Sequence, residues 1–396
     1  MASTRPALDG GVPEEAPPAD AGPAGSSADA GPPGDRPDAG SAGGSADAGA
    51  LASGSDAGVD RYCDPSIDAA AGIVIVATSA CAGVMPAAPT CAADVTSCAG
   101  WSSSGTGGIF ASAATSDALG AIAVACTSSD SGATLYRLGL ATARYAATTQ
   151  LGEAVAPLQD GFVATPLSRP APVGIFAHDG TQLASIQTGG PAVIVAPGGV
   201  EILAAGKTST GWTLTAQRFG DDGVARDAPQ QLGELAASSG VTLAGAAEPG
   251  GAVLVTWSTY APFATFARWL GADGTPLSPA FDISSWAGHA AASAALPGGG
   301  IAVGDTAGAR WRGVLAPGSS SPSPVPAWLA ARGDFTLVRG GAAALFGGAE
   351  VVAADGTSCG TLSFADGGSA RAGADGTVFH ATADGKGFRV YPQLLR

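Results

Sequence analysis

Short apolar segments recur along most of this chain, and their spacing constrains the fold more than any other feature of the sequence. Each segment is rich in strand-forming residues and is bounded by Gly, Asp, Pro or Ser. The segments begin at Ile122, Phe162, Val200, Ala252, Ile301, Ala343 and Thr377, at separations of 40, 38, 52, 49, 42 and 34 residues. One such unit cannot cover its own apolar surface, so the repeat predicts a β-protein whose units bury one another.

The segment 241–284 shows what one repeat contains. Three successive strands are predicted, followed by a turn at Asp273-Gly274 and a fourth strand. Asp-Gly suits a tight turn because Gly adopts a positive φ without strain and Asp tolerates it. Four strands in a period of about 40–50 residues resemble the blade of a β-propeller, in which radial packing covers both faces of each sheet. The resemblance covers roughly residues 115–396.

We therefore expect an all-β chain with a single β-propeller over residues 62–396. Seven four-stranded blades are the first choice, six or eight are alternatives, and a β-sandwich array is the competing fold. Residues 73–76 could complete the last blade beside Phe388–Tyr391, or they could open an eighth blade. Residues 62–114 are accordingly either a Cys-containing segment that leads into the ring or an extra blade.

The first 61 residues have a different composition. Residues 1–60 contain no aromatic residue, ten acidic residues and two basic ones, so they cannot bury enough apolar area to offset the entropy of ordering. Asp-Ala-Gly recurs every nine residues, at Asp20, Asp29, Asp38, Asp47 and Asp56. We expect a disordered, acidic linker over residues 1–61.

This linker resembles the spacers that follow the lipidated Cys in envelope lipoproteins of myxobacteria and their relatives. The similarity covers about residues 14–60 and is one of composition. No basic n-region, apolar h-region or lipidation Cys precedes the repeats in this sequence, which departs from the pattern of those proteins. The resemblance implies a cell-envelope or extracellular location.

The charge balance excludes several classes of protein. The net charge is −15, with 33 acidic and 18 basic residues, so little is available to neutralise phosphates or an anionic membrane surface. No apolar segment approaches the roughly 18 residues that a membrane helix needs. We expect neither nucleic acid nor a transmembrane segment, and we expect a monomer.

Five of the six cysteines lie between residues 63 and 126. None forms a Cys-x-x-Cys pair, so zinc is disfavoured. We expect disulfides among Cys63, Cys81, Cys91 and Cys98, and hence an oxidising compartment. Their connectivity stays open, and Cys126 could equally be a buried thiol.

Two motifs approach known catalytic signatures without matching their structural context. Gly206-Lys207-Thr208 ends like a phosphate-binding loop, but it lies between two predicted strands. The Gly-x-Ser-x-Gly segment around Ser358 is followed by Asp366, Asp375 and His380, yet a strand and a turn stand where a nucleophile elbow needs a helix. Neither the isolated His178 and His289 nor the Asp221-Asp222-Gly223 turn has metal-ligand spacing. We assign no catalytic residue, metal or cofactor.

One aromatic patch is a candidate binding site. Trp257, Tyr260 and Phe263 fall in TWSTYAPFATF, where Pro262 indicates a connecting loop. Aromatic side chains on a loop at the rim of the propeller could stack on a sugar or bind a peptide. The alternative is that they pack between neighbouring blades.

These observations favour a non-catalytic binding or scaffold module, whose partner is an unknown glycan, peptide or protein. The main alternative is a glycan-active hydrolase or lyase that uses the propeller channel, and a purely structural surface protein is a third reading. Convergent carboxylates, or a His beside a carboxylate, would favour the enzyme.

Overall fold

In the computed structural model of the protein, the first described residue is Cys63. The predicted linker of residues 1–61 therefore lies outside the described residues. The described residues are 63–64, 66–81, 83–95, 110–116, 120, 122–127, 132–137, 143–146, 154–165, 172–178, 180–188, 192–236, 240–288, 291–305, 310–330, 335–337, 343–346, 350–353, 355–368, 370–373, 375–381 and 388–395.

Within these ranges the strands form seven antiparallel sheets, which we number 1 to 7 in chain order. Two strands precede sheet 1, namely β1 (Ile73–Ala77) and β2 (Ala93–Val95), with a 3-10 turn at Ser79–Cys81 between them. Sheet 1 contains β3 (Phe110–Ser116), β4 (Ile122–Thr127), β5 (Gly132–Arg137) and β6 (Ala143–Ala146). Sheet 2 contains β7 (Ala154–Leu158), β8 (Gly161–Thr165), β9 (Val173–Phe176) and β10 (Gln182–Ile186). Sheet 3 contains β11 (Ala192–Ala196), β12 (Gly199–Lys207), β13 (Gly211–Gly220) and β14 (Gln230–Ala236).

The remaining sheets follow the same antiparallel order. Sheet 4 contains β15 (Val241–Ala247), β16 (Val253–Tyr260), β17 (Phe263–Leu270) and β18 (Phe281–Asp282), followed by the short helix α1 (Ser284–Ala287). Sheet 5 contains β19 (Ala291–Ala295), β20 (Ile301–Asp305) and β21 (Arg310–Leu315), followed by α2 (Ala327–Ala330). Sheet 6 contains β22 (Phe335–Leu337), β23 (Ala343–Phe346), β24 (Glu350–Ala353) and β25 (Ser358–Phe364), with β1 as a fifth strand. Sheet 7 contains β26 (Ala370–Ala372), β27 (Val378–Ala381) and β28 (Phe388–Tyr391), with β2 as its fourth strand.

The sheets are arranged in a ring as a β-propeller. First strands of successive sheets contact each other, as β3 does with β7, β11 with β15, and β15 with β19, and β26 of sheet 7 returns to β3 of sheet 1. A core cluster that includes Ala302 and Val352 joins sheet 5 to sheet 6. The all-β propeller predicted from the sequence is confirmed. The described residues form seven sheets, a number within the predicted six to eight blades. Six of these sheets have four or five strands and one has three.

Strand β16 shows why the sheets need one another. Seven of its eight residues are buried, so both of its faces are covered. Val253, Val255 and Trp257 pack toward sheet 3, while Leu254 packs in the cluster shared with sheet 5. Burial on both faces explains why this strand reads as a continuous apolar run rather than as an alternating pattern.

The predicted inner strands are the second strands of their sheets. The runs found in the sequence correspond to β4, β8, β12, β16, β20, β23 and β27, whereas the strands that meet at the centre of the ring precede them. The central strands give only a weak strand signal in the sequence because they are rich in Ala and Gly, as in the segment AASAA of β19. The predicted turn at Asp273-Gly274 is present, with a φ of 81° at Gly274, and Gly356 adopts a φ of 85° in the corresponding turn of sheet 6.

Residues 63–95, which we call the clasp, close the ring by supplying the outermost strands of the last two sheets. β1 pairs with β25 from Ile73 opposite Phe364 to Ala77 opposite Gly360. β2 pairs with β28, and Arg389 donates to Asp94 from Nε at 2.8 Å and from Nη2 at 3.0 Å. One prediction is corrected here, because β2 rather than residues 73–76 lies beside Phe388–Tyr391.

Two disulfides hold the clasp, which supports the expectation of disulfide bonding. Cys63 is bonded to Cys91 within the clasp, and Cys81 is bonded to Cys359 at the start of β25. Cys359 was missed as a partner because 278 residues separate it from Cys81. Cys98 lies outside the described residues.

Candidate functional site

Trp257 lies in the core between sheets 3 and 4. Its side chain is 2% exposed, and its ring stacks on Phe266 with centroids 5.9 Å apart. Trp257 and Tyr260 are three residues apart on β16, and side chains alternate along a strand, so the two point to opposite faces of sheet 4. The three aromatic residues singled out in the sequence therefore do not share one surface.

Tyr260 and Phe263 form the closing pair of the β16–β17 hairpin, directly opposite each other in the register. Their side chains are 47% and 43% exposed. The Tyr260 hydroxyl shares a hydrogen bond of 2.8 Å with Thr242 Oγ1, and its ring lies against Gly240, where an added Cβ would be 3.2 Å from Tyr260 Cδ2. The hairpin thus presents two exposed aromatic side chains on the face of sheet 4 that is turned toward sheet 5.

Two charged residues of sheet 5 are connected to the β16–β17 hairpin through Gly288 and Thr265. Thr265 Oγ1 donates to Gly288 O at 2.9 Å, and a Cβ added to Gly288 would be 3.2 Å from Asp305 Oδ2. Arg312 Nη2 is 3.8 Å from Asp305 Oδ2. The β20–β21 register shifts between Val303 and Gly304, which leaves Arg312 as the extra residue of a bulge. Bulges commonly re-aim a side chain in this way beside a functional site.

The hydroxyl groups next to this hairpin are hydrogen-bonded to one another and to the backbone. Ser258 Oγ and Thr265 Oγ1 are 2.9 Å apart and both residues are buried, while Ser284 Oγ accepts from the Thr265 amide at 2.8 Å. Because these groups are already hydrogen-bonded, they fix the backbone under the surface. We refer to Tyr260, Phe263, Asp305 and Arg312 as the rim site.

The structure also brings ionisable groups together between sheets 3 and 4. Glu201 on β12 is 1% exposed and lies opposite Arg218 on β13. Burial raises the pKa of Glu201 to about 7, with a further contribution from the nearby Asp227 that the Arg218 charge opposes. Asp227 Oδ1 accepts from the Arg218 amide at 3.0 Å, and Arg218 Nη2 donates to Pro197 O at 2.8 Å. Glu201 and Arg218 are buried between the sheets, which suits a role in packing rather than contact with a substrate.

Of the residues that follow the Gly-x-Ser-x-Gly segment, the structure pairs only Asp366 with His380. Asp366 Oδ1 lies 2.9 Å from His380 Nε2, and the imidazole stacks on Phe364 with centroids 4.0 Å apart. Ser358 begins β25 and Phe364 ends it, so Ser358 is about 20 Å from the imidazole at about 3.3 Å per residue. No triad is formed by these residues.

Asp375 belongs instead to a buried polar network at the junction of sheets 7 and 1. It accepts hydrogen bonds from Ser116 Oγ, from the Thr377 amide at 2.8 Å and from Thr377 Oγ1 at 2.9 Å. All three residues are less than a tenth exposed. The network thereby joins the first sheet to the last.

The other motifs take the structures expected for turns. Thr208 donates from its amide to Gly211 O at 2.8 Å, which closes a hairpin between β12 and β13 around Gly206-Lys207-Thr208. Asp222 Oδ1 accepts from the Val224 amide at 3.0 Å, and Asp222 Oδ2 lies 3.0 Å from Arg226 Nη2. His178 follows β9, and His289 lies outside the described residues. Among the residues that the structure describes, no group of three or more His, Cys, Asp or Glu could hold a metal ion.

Sequence reasoning missed Asp305 and Arg312. They lie in IAVGD and RWRG, which carry no recognisable motif, and a bulge determines where Arg312 points. The alternation of side chains along a strand could have shown that Trp257, three residues before Tyr260, points to the other face of the sheet.

The chain matches no family model and no curated protein. Solved structures that are similar to part of it include the following two. A crystal structure of the eukaryotic initiation factor is 10% identical with a TM-score of 0.36, over 72% of this chain and 76% of that chain. TolB from Acinetobacter baumannii is 11% identical with a TM-score of 0.33, over 65% of this chain and 63% of TolB, so less than two thirds of TolB is covered. The fold assignment rests on the sheet topology, and the function has to be argued from the site.

Proposed function

We propose that this protein is a non-catalytic binding or scaffold module and that the rim site is where it contacts its ligand. The observation that carries the proposal is the exposure of Tyr260 and Phe263 on a tight hairpin, beside which the hydroxyls of Thr242, Ser258 and Thr265 are hydrogen-bonded. Aromatic residues held this way supply contact area at a low entropy cost on binding.

The proposed location is the cell envelope or the space outside the cell. Two disulfides support an oxidising compartment. The Asp-Ala-Gly repeats within residues 1–61, which resemble lipoprotein spacers, support a tethered or secreted protein. Across the described residues, no helix has the length and apolarity to cross a membrane.

Arrays of glycans, peptides and envelope proteins probed with the full chain test the binding proposal. A Tyr260→Ala/Phe263→Ala variant should lose at least tenfold in the signal of any bound probe and should keep its melting temperature. Leu277→Ala is the matched control, because Leu277 is also an exposed apolar residue of sheet 4, 50% exposed, in the turn region between β17 and β18. Equal signals from all three proteins would overturn the proposal.

The alternative proposal is a glycan-active hydrolase or lyase, and the pairing of His380 with Asp366 is the observation that favours it. His380 is nearly buried and one face of its ring is covered by Phe364, so the binding proposal accounts better for the pair as a junction between sheets 6 and 7. Release of reducing ends or unsaturated products from polysaccharides by the full chain, lost in His380→Gln, would favour the enzyme instead.

A further inference from the structure

We infer that the rim site binds a neutral, hydroxyl-rich glycan, an inference that rests on the proposed binding function. It combines three observations: an exposed aromatic pair, a carboxylate and guanidinium that are connected to the same hairpin through Gly288 and Thr265, and the charge of the whole chain. Each observation narrows the chemistry of the ligand.

The aromatic pair supplies the surface for a sugar ring. The apolar face of a pyranose packs on aromatic rings, and Tyr260 and Phe263 stand side by side at the end of the hairpin. The hydrogen bond between Tyr260 and Thr242 and the close approach of Gly240 limit the motion of the phenol ring. A ring fixed before binding loses little entropy when the ligand arrives.

Asp305 and Arg312 supply polar groups of both kinds. A carboxylate accepts hydrogen bonds and a guanidinium donates them, so the two can bind adjacent hydroxyls of one sugar. Arg312 Nη2 and Asp305 Oδ2 are 3.8 Å apart, which is longer than a hydrogen bond, and one ligand hydroxyl could bridge them. Since the two charges offset each other, this pair selects for hydroxyls rather than for a charged group.

The charge of the chain argues against an acidic polymer. With a net charge of −15, the protein repels polyuronates and other polyanions, and the Arg312 charge is balanced by Asp305. A peptide is also less suited to the site. β16 is covered by β15, and β17 is covered at residues 265–267 by Ser284 and β18, so only a short edge is left to which an extended peptide could add a strand.

Affinity electrophoresis of the full chain tests the inference. Native gels containing hydroxyethylcellulose, laminarin or galactomannan serve as neutral probes, and gels containing polygalacturonate serve as the acidic probe. We expect retardation in at least one neutral gel and none in polygalacturonate. Phe263→Ala and Arg312→Gln should each lower the association constant at least tenfold, and Tyr260→Phe should lower it less than Tyr260→Ala.

Two control variants match the test variants in exposure. Leu277→Ala removes an exposed apolar side chain, and Arg226→Gln removes an arginine that is half exposed and paired with Asp222, much as Arg312 is paired with Asp305. Both controls should migrate like the parent protein, and the melting temperatures of all variants show whether they are folded.

The outcomes separate the inference from the function on which it rests. Retardation in no neutral gel, or in polygalacturonate alone, overturns the glycan inference. Binding of a peptide or protein that is lost in Tyr260→Ala/Phe263→Ala leaves the binding function standing and overturns the glycan as ligand. Glycan binding that none of the rim variants changes overturns both the ligand assignment and the rim site.

Discussion

Glu201 is the residue whose protonation should couple most strongly to stability. In the unfolded chain its carboxyl titrates near the usual value of 4.5, and in the folded protein burial raises the pKa to about 7. The folded state therefore holds an extra proton between these values, and stability falls as the pH rises from about 4.5 to about 7. The total loss is about 3 kcal/mol, since one pKa unit corresponds to about 1.4 kcal/mol.

Urea denaturation at a series of pH values measures this effect. Glu201→Gln removes the titrating group with little change of shape, so the decline in stability between pH 4.5 and 7 should shrink by most of that amount. Glu234→Gln changes an exposed carboxyl on the neighbouring strand β14 and should leave the decline unchanged. A Glu201→Gln profile that parallels the parent profile would contradict the assignment.

Trp257 should matter for folding and not for binding. Trp257→Ala removes a nearly buried indole that stacks on Phe266, and it should cost about 3–5 kcal/mol in the free energy of unfolding. Phe263→Ala truncates a partly exposed ring and should cost less than about 1 kcal/mol. Chemical denaturation of both variants checks the ranking, and similar costs would show that Phe263 also belongs to the core.

At the scale of elements, the clasp should be the part of the molecule that depends most on oxidation. Cys81 and Cys359 close a loop of 278 residues, whereas Cys63 and Cys91 close one of 28. Loop-closure entropy grows with the logarithm of loop length, so the longer link should stabilise the fold more, by about 2 kcal/mol. Cys81→Ser/Cys359→Ser should therefore melt below Cys63→Ser/Cys91→Ser.

Melting followed by circular dichroism under oxidising conditions gives this order, and dithiothreitol should bring both variants and the parent to a similar, lower melting temperature. The reverse order of the two double variants would show that the clasp is held mainly by its internal link.

The pairing of β1 with β25 could not be predicted from the sequence. The pattern IVIVA predicts a strand but not its partner, because no local signal distinguishes the edge of sheet 6 from that of sheet 7. Gly360 carries a signal that could be read only with the structure. It has a φ of 137°, and an added Cβ would lie 2.0 Å from Val76 O. Conversely, the runs of β12, β16 and β27 were found because strands buried on both faces are continuously apolar.

At the scale of the whole molecule, the ring is joined by different means at its last two junctions. Sheets 6 and 7 share a core cluster that includes Ile73 and Met85 of the clasp, and sheets 7 and 1 are joined by the hydrogen bond between Ser116 and Asp375. Repetition in the sequence predicts that such junctions exist, but the residues that make them come from distant positions and differ from the repeat. For the same reason only the aromatic residues of the proposed rim site, Tyr260 and Phe263 on sheet 4, could be predicted from the sequence.

These junctions lead to a prediction about where the folded unit begins. Deletion of residues 1–61 removes the predicted linker and leaves the clasp, so the melting temperature should change by less than 2 °C or so, because a segment of this composition contributes little apolar area to a core. Deletion of residues 1–96 also removes β1, β2 and both disulfides. It opens the edges of β25 and β28 and uncovers the cluster around Leu362 and Tyr391. Open edges beside exposed apolar surface favour association, so the shorter chain should melt at least 10 °C lower and elute as aggregates in size-exclusion chromatography.

Equal stability of the two deletion variants would show that the ring closes without the clasp. A large loss of stability on removing residues 1–61 alone would place the boundary of the folded unit before Tyr62.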